Sequence, residues 1–223
     1  MPVRGTRLPP MTTAATDLRR RAVLRAAGAA CGAALVGCGT AQTRSSDGGL
    51  RLLGETTLRH RQAFKGTTVG GLSGLDFDPA SGLWVALSDD RSELQPARFY
   101  TLRLDLGGHG LAVELLDVVT LRQADGQPYP PRRAGGATVD PEALRLLPAG
   151  RGLLWASEGE PRVNQPPSLH ESRLDGSHVR DFTLPAHLQL GSGSGPRDNH
   201  AFEGLALTTD GLIAWAAMEG PLQ

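Results

Sequence analysis

Lysine is almost missing: Lys65 is alone among 223 residues. It stands in the run Phe64-Lys65-Gly66-Thr67, which excludes a Gly-Lys-Ser/Thr phosphate loop. The chain has no HExxH, CxxC or GxGxxG spacing. The run at 191–195 misplaces its serines for a nucleophile elbow, and the run at 71–75 lacks the last glycine. Two cysteines seven positions apart, Cys31 and Cys38, build neither a disulfide framework nor a metal knot. No stretch beyond residue 37 reads as an amphipathic helix. What abounds is glycine (29) and proline (16), about twice ordinary usage, and such punctuation favours short strands and turns. The apolar share of 39% is enough for a core.

The formal charge of zero hides an asymmetry. Residues 1–37 hold six arginines and one aspartate, net +5, and the remainder holds 17 basic and 22 acidic residues, net −5. An acidic body with scattered arginines offers no basic face for phosphate backbones, which excludes nucleic acid as a partner. Arg20-Arg21-Ala22-Val23-Leu24-Arg25 resembles the twin-arginine export motif, and the Ala-rich stretch after it is too short to span ~30 Å of hydrocarbon. Leu35-Val36-Gly37-Cys38 then looks like a bacterial lipoprotein box, with Cys38 the lipidated first residue of the mature chain. Residues 1–37 read as a signal peptide, 38–50 as a polar tether and 51–223 as the folded domain. The expected location is the bacterial envelope, held to the membrane by a lipid anchor alone. A cytosolic chain with an Ala-rich helical start is the alternative.

The body holds three copies of one pattern: Ser73 to Asp89, Glu142 to Glu158 and Glu203 to Glu219. Each starts on a polar residue, alternates apolar and polar positions, turns on Pro, Asp or Gly, and returns through an apolar run bearing Trp84, Trp155 or Trp215. The interval is 16 residues in all three. Such alternation around a glycine-bearing turn predicts a β-hairpin. Strand candidates between the copies are 99–104, 111–116, 168–174 and 178–184, the last two joined by an Asp175-Gly176 turn. Each hairpin with an outer pair would make a four-stranded blade, so the expected fold is an all-β propeller. About three blades are present, fewer than the roughly four a ring needs, and a chain that is a fragment of a longer protein is the expectation. The three tryptophans read as core.

A hairpin returns its first and last residues to one end of the sheet. Glu142 should therefore approach Glu158, and Glu203 should approach Glu219. Ser73 faces Asp89 and Asp90, and Glu160 adds a further acid. Several carboxylates at one rim would repel unless a cation or arginine sits among them. An all-oxygen set suits Ca²⁺ better than Zn²⁺. The competing reading is that these acids cap turns and pair with Arg91, Arg98 and Arg162; the same guanidiniums could instead fork a phosphate. Ser73 has no base in view, so orienting the backbone is its expected task. Of six histidines only His200 lies near the proposed rim.

The segments GLSGLDFDPASGLWVALSDDR, ARFYTLRLDL, VDPEALRLLPAGRGLLWASEGE and NHAFEGLALTTDGLIAWAAMEGP together resemble the phytase-like family, described as having esterase-like activity of phytase. The resemblance runs from about Gly71 to Pro221. It implies a β-propeller exported to the envelope, distantly related to calcium-dependent propeller phytases that hydrolyse phosphomonoesters with water as nucleophile. It also implies metal-holding roles for Asp89, Asp90, Glu142, Glu158, Glu160, Glu203 and Glu219. On the mechanism expected here, Arg91 or Arg162 would neutralise the charge that develops on the substrate. Ala143 stands where the family more usually has glycine. The expected activity is metal-dependent hydrolysis of a small phosphorylated or ester substrate. A non-catalytic propeller that recruits a ligand is the rival, and an inactive fragment is a third reading.

Overall fold

The computed structural model of the chain describes residues 50–108, 110–191 and 195–223. The export signal, Cys38, the tether up to residue 49, and the serines of the glycine-serine run lie outside them. Among the described residues there is no α-helix, only short 3-10 turns. The strands are β1 (Gln62–Phe64), β2 (Thr67–Val69), β3 (Leu72–Asp78), β4 (Leu83–Ser88), β5 (Arg98–Gly107) and β6 (Gly110–Thr120). They continue with β7 (Pro141–Leu147), β8 (Gly152–Ser157), β9 (Ser168–Ser172), β10 (His178–Asp181), β11 (Phe202–Leu207) and β12 (Ala214–Met218). The protein is all-β, as expected.

The sheets are two four-stranded antiparallel meanders, β3-β4-β5-β6 and β7-β8-β9-β10, and two hairpins, β1-β2 and β11-β12. Each 16-residue interval is a hairpin, and the outer pairs fall where the alternating runs placed them. The β1-β2 hairpin was not foreseen. Its turn uses Lys65 (φ 45°) and Gly66 (φ 79°), the pair of positive φ values that a two-residue turn matching strand twist requires.

Strands β3, β7 and β11 lie side by side as the first strands of their units. Ser73 Oγ donates to the Pro141 carbonyl at 3.1 Å, and the Leu146 N–H donates to Asp76 Oδ2 at 2.8 Å. Strands β7 and β8 are covered on both faces. Leu144, Leu153 and Trp155 pack with Val85, Leu87 and Phe99 on one side, whereas Ala143, Leu154 and Ala156 pack with Phe202 and Leu205 on the other. Burial on two faces explains why β8 reads as an unbroken apolar run rather than an alternating one. Each buried Leu, Val or Phe among them contributes on the order of 1.5–3 kcal/mol.

The three tryptophans part company. Trp155 is fully buried, and its Nε1–H donates to Ser172 Oγ at 3.0 Å. Trp84 is partly buried against Phe77. Trp215 is 55% exposed, which corrects the expectation of a core residue. The cause is topological: β8 is flanked by β7 and β9, while β12 pairs with β11 alone among the described strands.

Candidate metal centre

Hairpins β3-β4, β7-β8 and β11-β12 share one irregularity. Leu72 pairs with Ser88 and Gly74 with Leu87, so Ser73 has no partner of its own. Glu142 is the corresponding extra residue between Pro141 and Ala143. Glu203 is the extra residue between Phe202 and Gly204. A bulge of this kind bends the strand and re-aims one side chain. Here it sits at the first polar position of every copy, so the acids that open two of the copies are delivered by backbone register.

The other acids follow the second strands. Glu158 continues from β8, and its N–H donates to the Asp140 carbonyl at 3.0 Å. Its Oε1 accepts the Ala201 N–H at 2.5 Å, tying the second hairpin to the loop before the third. Glu219 follows β12, and His200 Nδ1 lies 3.0 Å from its Oε2. Carboxylate oxygens of Asp140, Glu142 and Glu158 all lie within 4.8 Å of one another, and so do those of Glu158, Glu203 and Glu219. Glu158 belongs to both groups. The hairpin argument therefore brings Glu142, Glu158, Glu203 and Glu219 together.

Asp89 lies near enough for its charge to act on Asp140, Glu142 and Glu203. Its position depends on Gly71 (φ 55°), where a Cβ would stand 1.6 Å from Asp89 Oδ1. A side chain there would push the Asp89 carboxylate aside.

Asp90 and Glu160 are differently employed. The Asp90 carboxylate accepts the Glu93, Leu94 and Gln95 N–H groups and pairs with Arg98 at 2.8 Å. Burial opposes its charge, but those bonds prevail and hold its pKa below the usual carboxylate range. Glu160 is buried, caps the turn Pro161–Val163 through the Arg162 N–H, and pairs with Arg91 at 3.2 Å and Arg132 at 3.3 Å. Against desolvation, these partners lower its pKa too. Both acids do what the competing reading foresaw: they cap turns and pair with arginine.

Arg91 reaches between hairpins, its Nη2 2.5 Å from Asp140 Oδ2 and 2.7 Å from Asn199 Oδ1. Arg91 and Glu160 stand two residues past Asp89 and Glu158, so equivalent positions of neighbouring units bear opposite charges and pair. Arg162 is exposed and reaches Asp198 only at 3.7 Å.

The electrostatics are those of an under-neutralised site. Desolvation, reinforced by Asp140, Glu203, Asp89 and Glu158, pushes Glu142 up to about 9. Desolvation also raises Asp140 to about 6 in spite of Arg91. Glu158 and Glu203 move upward for the same reasons, burial first and neighbouring carboxylates second. Asp140 is 1% exposed, and the Arg91 guanidinium, 2.5 Å from its Oδ2, meets its charge there. Carboxylates that converge and repel one another fit a cation among them, and an all-oxygen donor set fits a hard one.

Asp140 escaped the repeat comparison because its counterparts in the other copies are Gly71 and Ala201. The signal was the Val139-Asp140-Pro141-Glu142 run itself, two acids flanking the first strand residue. Asn199 and Arg132 come from loops with no such signal.

A family profile described as "Phytase-like: Esterase-like activity of phytase" matches residues 67–223. The chain belongs to this family. No curated protein and no solved structure matches it. The match in this phytase-like chain spans all three bulged hairpins and every acid of the centre.

Proposed function

We propose that the protein is a metal-dependent hydrolase of small phosphoesters or esters, and that its metal is Ca²⁺ held by Asp140, Glu142, Glu158, Glu203 and Glu219, with Asp89 beside them. The observation that carries this reading is the pair of carboxylate triads sharing Glu158. Bound Ca²⁺ would supply Lewis-acid charge for the substrate oxygen and for water activation.

The residues of the chain set up the rest. Arg91 clamps Asp140 and Glu160 and so positions the centre. Arg162, exposed at the adjoining turn, is the guanidinium available to a substrate's phosphate. His200 orients Glu219. The fold read with its family is a propeller built from units of this kind. The proposed setting is the bacterial envelope, reached through export by residues 1–37 and anchored through lipidated Cys38.

Thermal melting of the full chain with CaCl₂ and with chelator tests the site, because a ligand of the native state raises the melting temperature with its concentration. Hydrolysis of aryl phosphates and aryl esters tests the activity. A calcium shift with calcium-dependent turnover supports the proposal. A shift without turnover replaces it with a calcium-binding module. No shift in a well-folded protein ends the metal assignment.

A further inference from the structure

Strands β9 and β10 carry a group of side chains unrelated to the acidic centre. Ser168 and His170 alternate along β9, so both point to one face, and Asp181 pairs with His170 from β10. Ser168 Oγ lies 2.7 Å from His170 Nε2, and His170 Nδ1 lies 2.6 Å from Asp181 Oδ1. The tautomer follows from the chemistry. An ionised carboxylate only accepts, so Nδ1 carries the proton and Nε2 is left to accept from the serine hydroxyl. The hydrogen bond from His170 holds Asp181 down to about 2, with help from His178 at 3.0 Å, so the carboxylate is ionised at every ordinary pH. The imidazole is fixed by stacking on Trp155, centroids 4.1 Å apart, and by the edge contact with Tyr129 at 5.9 Å.

We propose that Ser168, His170 and Asp181 form a charge-relay nucleophile, a second and metal-independent site that cleaves carboxylic esters. Ser168 is half-buried rather than sealed, and it pairs across the ladder with Ser157, the residue before Glu158. It therefore lies at the same end of the sheet as the acids. The Ser168 O–H proton passes to His170 Nε2 as Oγ bonds to the acyl carbon and the carbonyl pair moves onto oxygen. That pair returns, the bond to the alcohol oxygen breaks, and the alcohol leaves with the proton from Nε2. Water then repeats the sequence on the acyl-serine, releasing the acid and restoring the hydroxyl. Asp181 keeps the tautomer and stabilises the imidazolium.

The test is covalent labelling of the full chain by a fluorophosphonate probe with chelator present, read by peptide mass spectrometry. The expected result is a single adduct on Ser168, lost in Ser168→Ala and slowed at least about a hundredfold in Asp181→Asn, the direction that a wrong tautomer imposes. No adduct on the folded chain, or labelling at an unchanged rate in Asp181→Asn, overturns the proposal. If Ser168→Ala does not fold, the Asp181→Asn rate decides alone. The chelator separates this result from the fate of the calcium reading.

Discussion

Replacing Glu142 by glutamine should stabilise the metal-free protein, although it alters a half-buried residue of the acidic centre. The Glu142 carboxyl titrates near pH 9 in the folded chain against 4.5 ordinarily, chiefly because burial and four neighbouring acids oppose its charge. A folded-state pKa raised above the unfolded value favours the fold below about pH 4.5, and that contribution is lost as pH rises toward 9. At pH 7 the loss reaches about 3.4 kcal/mol at about 1.36 kcal/mol per pH unit, and solvent at this half-buried group reduces it to about 1–2 kcal/mol. Glutamine keeps the shape and carries no charge. In chelator at pH 7 to 8, Glu142→Gln should melt about 2–8 °C above wild type, given about 2–4 °C per kcal/mol for a domain of this size. The advantage should vanish at pH 4.5 and reverse in saturating calcium, where wild type regains a ligand that the variant lacks. Differential scanning calorimetry across pH 4.5, 7 and 8, with and without calcium, reads all three. A metal-free variant that melts at or below wild type at pH 7 to 8 would refute the reasoning.

Arg91→Met should cost about 3 kcal/mol at pH 7.5, since it leaves Asp140 and Glu160 buried with less compensation. Urea melts should show much of that cost recovered at pH 5, where the Asp140 carboxyl, already raised to about 6, takes a proton. Gly159→Ala should cost about 2–4 kcal/mol, because Gly159 sits at φ 76° and a Cβ would meet the Gln165 carbonyl oxygen at 2.4 Å; calcium binding should weaken with it, as Glu158 is the preceding residue. Asp181→Asn should lose about 1 kcal/mol at pH 7, the value reduced because this side chain is exposed. Its pKa is depressed to about 2, so the difference from wild type should shrink as pH falls from 4 toward 2, as thermal melts would show.

The three hairpins were legible because one spacing recurred and because alternation with period two survives wherever a single face is buried. The convergence of Glu142, Glu158, Glu203 and Glu219 followed from that spacing. The bulges at Ser73, Glu142 and Glu203 did not, since pairing register is settled between strands and leaves no mark on one strand's composition. Asp140 was hidden because repeats expose only what is repeated. Asp90 and Glu160 looked equivalent to the other acids in the sequence; local N–H groups and arginines, Arg98 of β5 for Asp90 and Arg91 and Arg132 for Glu160, decided otherwise. Trp215 looked like Trp155, but burial depends on the strands alongside rather than on the residue. The relay on β9 and β10 was invisible as a motif, because its serine and histidine are two apart and its aspartate reaches them only through the pairing of those strands.

The extra residue in each hairpin makes the acidic rim a matter of count rather than of side-chain chemistry alone. Deleting Glu142 or Glu203 would do more than remove a carboxylate: it would close the kink and straighten that end of the strand. The far turns, at 79–82 and 208–213, carry no such duty and can lengthen or shorten between variants without disturbing the acids. A designer seeking to transplant this centre should therefore copy the ladder slip first and the glutamates second.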